Sequence, residues 1–167
     1  MSLKGELLLK MLLDGGTAMA RIGILTCSNA TQDLDCASAS CLRDLRKRLG
    51  EFNRYPKDEK LELIGIINCA GCPTVNAAGK ILRKVRSLAE MNVDSIHLTF
   101  CMVALCPFKT KYVEIIQEAY PNVNVVYGTH EAHVTPETFQ QEVKEYLCQP
   151  QKDMTDIILK RARPRRS

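Results

Sequence analysis

No stretch of this sequence reaches the ~18 apolar residues that a membrane-spanning helix needs, and neither a G-x-x-x-x-G-K-[ST] nor a G-x-G-x-x-G phosphate loop occurs. A membrane partner is therefore not expected, and nucleotide binding lacks its usual cradle. Tryptophan is absent and aromatic residues make up only 5% of the chain, yet 46% hydrophobic and 25% charged residues are ordinary proportions for a folded soluble protein. Repeats and internal Gly/Pro/Ser-rich linkers are also missing, so the 167 residues read as one main domain. A chain of that size buries a core without disulfide staples.

The body also lacks an excess of charge of either sign. Across the chain, 23 Lys and Arg stand against 19 Asp and Glu. The tail KRARPRR holds five of those cations (Lys160, Arg161, Arg163, Arg165 and Arg166) and no acid, which leaves 18 basic against 19 acidic side chains before it. The body thus offers no polyanion-binding surface by composition, and nucleic acid is not an expected partner. The tail reads as a solvated end.

The start, KGELLLKMLLDGGTAMA, has a leucine-rich run and an Ala18-Met19-Ala20 that imitate a signal peptide. Glu6, Lys10 and Asp14 interrupt the run. It reads instead as a short amphipathic helix with Leu8 and Leu12 on one face, or as residues upstream of a start at Met19. The expected organisation is an N-terminal extension over 1–19, an α/β domain over 20–149, and a C-terminal helix (KDMTDIILK) with basic tail over 150–167. The expected location is the cytoplasm.

Four β-rich apolar segments recur: RIGILT (21–26), LELIGII (61–67), DSIHLTF (94–100) and VNVVYG (123–128). Each precedes a helix-like stretch. CLRDLRKRLGEF places Leu42, Leu45 and Leu49 on one stripe; VNAAGKILRKVRSLAEM does so with Val75, Ala78, Ile81, Leu82, Val85 and Leu88. KTKYVEIIQEAY and TPETFQQEVKEYL repeat the period, with Thr135-Pro136 as cap and first turn. Alternation of this kind predicts an α/β three-layer sandwich around a four-stranded parallel sheet in the flavodoxin-like order 2-1-3-4.

Open α/β sheets bind ligands beyond the carboxyl ends of their strands, near the point where strand order reverses. Seven of the eight cysteines fall there. Cys27 follows the first strand, with Cys36 and Cys41 (CASASC) ahead of the next helix. Cys69 and Cys72 (NCAGCP) follow the second strand, Cys101 and Cys106 (CMVALCPF) the third, and His130 and His133 (THEAH) the fourth. In a reducing compartment such a pattern points to metal or redox chemistry and away from structural disulfides. Divalent soft metals take sulfur at ~2.3 Å in a tetrahedral shell, and these donors exceed one shell. Cys72-Pro73 and Cys106-Pro107 imply thiols at helix starts, with lowered pKa. Cys148 shows no such placement and reads as structural, and His97, inside a strand with Ser95 and Thr99 on its face, reads as packed. Glu131, between the histidines, is a candidate orienting group or base.

With its residues in this order, the chain resembles the CGGC domain family, which is regarded as metal-binding for its many cysteines and histidines. RIGILTC resembles the family's first strand and cysteine, and the Cys36/Cys41 pair its C-x4-C. NCAGCP resembles the central motif, CMVALCPF the C-P-F segment, and VVYGTH the final Thr-His. Ala70 replaces the first glycine, and alanine takes a left-handed backbone only at a cost. The resemblance implies a metal site at Cys27, Cys36, Cys41, Cys69, Cys72, Cys101, Cys106 and His130; it names no reaction or substrate.

Three functions are open on these residues. The first is a zinc-binding protein with the metal ion as its partner. The second is an iron–sulfur protein, although the spacing C-x2-C-x2-C-x3-C-P is absent. The third is a thiol–disulfide oxidoreductase using Cys69/Cys72, although the usual C-[GP]-[PHY]-C pair is not present. Whether the protein is an enzyme is open, and no catalytic residue is assigned; a metal site with an open position would draw on His130 and Glu131.

Overall fold

In the computed structural model, residues 18–72, 74–147 and 158–159 are described. The leucine-rich start, Cys148 and nearly all of KDMTDIILK and the basic tail lie outside them.

Strand β1 (Met19–Thr26) lies at the centre of a parallel sheet with β2 (Lys60–Asn68) on one side, β3 (Ser95–Leu98) on the other, and β4 (Asn124–Tyr127) beyond β3. The order is 2-1-3-4, and every pairing is parallel. The fold is therefore the expected flavodoxin-like α/β sandwich. The β1–β2 register slips by one residue between Ile22 and Gly23.

Period-2 alternation assigns the two faces. On one, Ala20, Ile22 and Ile24 of β1 meet Cys41 and Leu45 of α2 (Ala39–Lys47) and Phe52 of the 3-10 turn Gly50–Arg54. On the other, Leu25 of β1 with Ile96 and Leu98 of β3 packs against α3 (Ala77–Glu90) through Ile81, Val85 and Leu88, and against α5 (Lys109–Ala119) through Tyr112, Val113 and Ile116. Each fully buried aliphatic side chain here stabilises the fold by about 1.5–3 kcal/mol relative to exposure. Gly23 lets α3 approach, since a Cβ there would lie 2.8 Å from Leu88 Cδ1. His97 is wholly buried in the first layer, stacked 4.5 Å from Phe52. Its Nδ1 donates to the Gly128 carbonyl (2.9 Å), and its Nε2 meets the Tyr55 hydroxyl at 2.8 Å. That hydroxyl also bonds Ser95 at 2.6 Å, so the imidazole is a satisfied core group.

Several local expectations shift. The expected stripe Leu42/Leu45/Leu49 gives way to Cys41, Asp44 and Leu45, because α2 ends at Lys47, Arg48 turns left-handed, and Leu49 is left exposed. Val75 lies ahead of α3 and is 85% exposed. Two short helices went unforeseen: α1 (Ser28–Gln32) after β1, and α4 (Phe100–Leu105), which begins where strand three was expected to end.

Chain contacts divide into one unit ending at His133 and a second beginning at Val134. The second contains α6 (Pro136–Leu147), whose first turn is capped as anticipated: the Thr138 N–H donates to Thr135 Oγ1 at 3.2 Å. No helix among the described residues is long and apolar enough to cross a membrane.

Candidate functional site

Because the four strands run the same way, the chain leaves all of them at one edge of the sheet. Cys27 sits at the end of β1 with extended backbone, as the residue preceding α1. Cys69 follows β2 directly and is tied back to β1 by its N–H to the Thr26 carbonyl at 2.8 Å. The two thiols meet and are hydrogen-bonded to one another. The Cys27 thiol donates to Cys69, whose charge also draws the N–H groups of Ser28 (3.2 Å) and Gly71. Cys69 is thereby held down to about 5 although it is buried, whereas Cys27 keeps its proton well above the ordinary thiol range. Ser28 Oγ and Lys84 Nζ both donate to the Cys69 carbonyl, which fixes this loop to α1 and α3.

Cys101 lies in the first turn of α4, half-buried, hydrogen-bonded to Thr99 Oγ1 at 3.0 Å and reached by the backbone N–H of Cys27. Burial pushes its thiol up. Cys41 is buried in α2 and bonded to Thr129 Oγ1 at 3.2 Å; burial raises it to about 11. Cys36 is exposed but close enough for its charge to act on both Cys41 and Cys101. Cys106 is buried beyond α4 and feels the charges of Cys69 and the exposed Cys72. Cys27, Cys69, Cys72 and Cys106 line one cavity at this edge, and the charges of Cys36 and Cys101 act on Cys41.

The expected low pKa at a helix start is corrected for Cys106. It lies three residues ahead of α5, and burial raises its thiol. Residues 73–76 separate Cys72 from α3, which begins at Ala77. The lowered thiol is Cys69, and its cause is a cluster of hydrogen bonds rather than a helix dipole.

The loop after β4 brings the imidazoles. His130 Nδ1 donates to the Glu131 carbonyl at 2.8 Å, which leaves its Nε2 with a free lone pair, the form a metal ligand needs. Its ring packs 5.7 Å from Phe100, next to Cys101, and stacks 5.8 Å from the exposed ring of His133. Two features pin this loop. The Glu51 N–H donates to the Thr129 carbonyl at 2.9 Å beside Gly50, whose φ is +54° and where a Cβ would lie 2.4 Å from that carbonyl oxygen. Buried Asp44 accepts from Arg43 Nε at 2.6 Å and from the Glu131 N–H at 3.3 Å, and the Arg43 guanidinium holds its carboxyl below the usual range.

Among the described residues, no three Cys, His, Asp or Glu side chains converge as a ready-formed metal shell. Cys41 and Cys101 instead bond threonine hydroxyls, and Cys69 accepts from the Ser28 N–H. Their chemistry fits a soft ion: several thiols, one already favoured as thiolate, and an imidazole with its acceptor nitrogen free. Binding would exchange the thiol hydrogen bonds for metal bonds. The supporting residues Ser28, Asp44, Thr99 and Thr129 carry no spacing signal; only the Thr-His of VVYGTH marks one of them.

The CGGC domain model matches residues 21–130, two thirds of the chain. No curated protein and no solved structure matches it. Its central motif reads Cys69-Ala70-Gly71-Cys72 here, and Gly71, with φ +86°, is the residue in the left-handed region. Ala70 is not, so the substitution fits the loop.

Proposed function

The chain belongs to the CGGC domain family, and from that premise we propose that it binds a metal ion, zinc, through the thiols gathered at the sheet edge. The observation that carries this reading is that Cys27, Cys69, Cys72 and Cys106, which follow three different strands, line one cavity, with Cys41 and Cys101 each held by a threonine hydroxyl. Cys27, Cys69 and Cys101 would hold the ion. Cys41 and His130 Nε2 stand next as ligands, while Cys36, Cys72, Cys106 and His133 flank the site. Bound zinc supplies Lewis acidity and no redox change of its own. The chain's part is to keep Cys69 deprotonated, to orient it through Ser28 and Lys84, and to hold His130 in one tautomer. Anaerobic purification with elemental analysis, an absorbance spectrum and thiol titration tests this. Near-stoichiometric zinc with protected thiols is expected. Iron with matching sulfide would replace it with an iron–sulfur protein.

The Cys27–Cys69 hydrogen bond favours a second reading, a dithiol redox couple. A thiolate beside a protonated thiol is the reactive form in exchange. The partner of Cys69 would then be Cys27, across from β1, instead of the exposed Cys72. Metal-free protein that reduces a model disulfide, and loses this in Cys69→Ser, would select this reading over zinc.

A further inference from the structure

One turn beyond Cys41 in α2 stands a carboxylate that the fold hides completely: Asp44 is 0% exposed. Taking a charge out of water is strongly unfavourable unless it is paired and hydrogen-bonded. Arg43 Nε pairs one oxygen at 2.6 Å, from a side chain that stays half-exposed. The other oxygen accepts the Glu131 N–H at 3.3 Å, from the loop after β4. A helix that needed only an apolar face would carry an aliphatic residue here, as it does next door at buried Leu45.

That N–H belongs to the peptide joining His130 to Glu131. The His130 ring reaches the other end of the same residue, donating from Nδ1 to the Glu131 carbonyl at 2.8 Å. Glu131 is therefore held at its N–H by Asp44 and at its carbonyl by the imidazole. On the preceding turn of α2, Cys41 meets Thr129 Oγ1 at 3.2 Å, and Thr129 is wholly buried. Cys41 and Asp44, neighbours at i, i+3 on one helix face, thus grip the chain on both sides of His130. Once Cys41 turned to a metal ion, its bond to Thr129 would be given up, and of these two grips Asp44 would remain. The acidic side chain nearest in sequence does not share this role: that of Glu131 is exposed and makes no hydrogen bond among the described residues.

We infer that Asp44 is the positioning residue for His130: it fixes the Glu131 backbone on which the ring rests, keeping the proton on Nδ1 and leaving Nε2 open to a metal ion. A carboxylate or carbonyl behind the ligand sets tautomer and orientation in metal sites generally, and loss of such a partner weakens metal about 10–100-fold. Here the carboxylate acts through a backbone segment, and its charge also reaches the His130 ring. The part of His130 as ligand rests on the zinc reading; its tautomer does not.

The test uses the full-length chain with isotope-labelled imidazole nitrogens, reduced and metal-free, above about pH 8, where an ordinary imidazole is neutral. NMR reads the tautomer, and cobalt(II) titration of the same samples reads the affinity. His130 is expected as the Nδ1–H tautomer alone in the native chain and as a mixture of both in Asp44→Asn, which should bind cobalt(II) about tenfold more weakly. Leu88→Ala, a cavity in the opposite layer of the core, should lower the unfolding midpoint at least as far yet leave tautomer and affinity unchanged. Both tautomers in the native chain would overturn the proposal, and that readout needs no variant. So would a native ring and affinity in Asp44→Asn, or the same loss in Leu88→Ala. A chain that shows the tautomer change but takes up no cobalt(II) refutes only the zinc reading. One that binds cobalt(II) with a ring indifferent to Asp44 refutes only this one.

Discussion

Replacing Cys27 by alanine removes the thiol that donates to Cys69 while leaving the Ser28 and Gly71 N–H groups in place. A hydrogen bond to a charged group is worth about 1.5–3 kcal/mol, and 1.36 kcal/mol corresponds to one pKa unit. The Cys69 thiol should therefore titrate about one to two units higher in the variant. The assay is the rate of alkylation of Cys69 against pH, read by peptide mass spectrometry on reduced, chelated protein. In the native chain the profile should rise near pH 5, where Cys69 is placed. The same pair fixes a pH dependence of stability. Cys69 is lowered from a free value of about 8.5, so its contribution is complete above that value and is lost as pH falls towards about 5. Cys27 is raised, so its contribution is present below about 8.5 and declines as pH climbs beyond it. Stability relative to a Cys27→Ala/Cys69→Ala double variant should thus peak near the free-thiol pKa. An alkylation profile unchanged in Cys27→Ala, or Cys72 as the thiol that ionises first, would refute the influence of Cys27 on Cys69.

Three further outcomes follow from the geometry. Gly50→Ala, with positive φ and a Cβ pressed on the Thr129 carbonyl, should cost at least about 2 kcal/mol in urea unfolding and shift the His130 ring resonances; wild-type stability would contradict the pinning of that loop. Asp44→Asn should cost about 2 kcal/mol and flatten the acid limb of the stability curve. The Asp44 carboxyl is held low by Arg43, so its contribution is full above about pH 4 and disappears as pH falls through its depressed value; an unaltered acid limb would contradict this. His97 is kept neutral by burial, with its pKa lowered to about 4. Its NMR signal should not titrate between pH 7 and 5, and stability should fall by about 1.4 kcal/mol per pH unit below about 6.5; a normal imidazole titration would place it outside the core.

The fold was legible because period-2 and period-3.6 patterns are set by one-sided burial, and β1 with α3 shows both cleanly. Strand order followed from alternation and the parallel rule. Side-chain hydrogen bonding was not legible. Asp44, inside an amphipathic helix, looks like a solvated charge until the loop after β4 folds over it. The Cys27–Cys69 contact joins residues 42 apart in sequence, and spacing alone favoured the nearer Cys72. Helix starts were misplaced for a local reason: Asn76 turns left-handed and its side chain accepts from the Gly79 N–H, which delays α3 past the proline.

Titration of the metal-free, reduced chain with cobalt(II), a spectroscopic substitute for zinc, tests the central claim most directly. A saturable thiolate-to-metal charge-transfer band with tetrahedral ligand-field absorption, displaced by zinc and lost in the Cys27→Ser/Cys69→Ser/Cys101→Ser variant, is the predicted result. No band in the wild-type chain, or the same band in the triple variant, would contradict a metal site at this edge of the sheet.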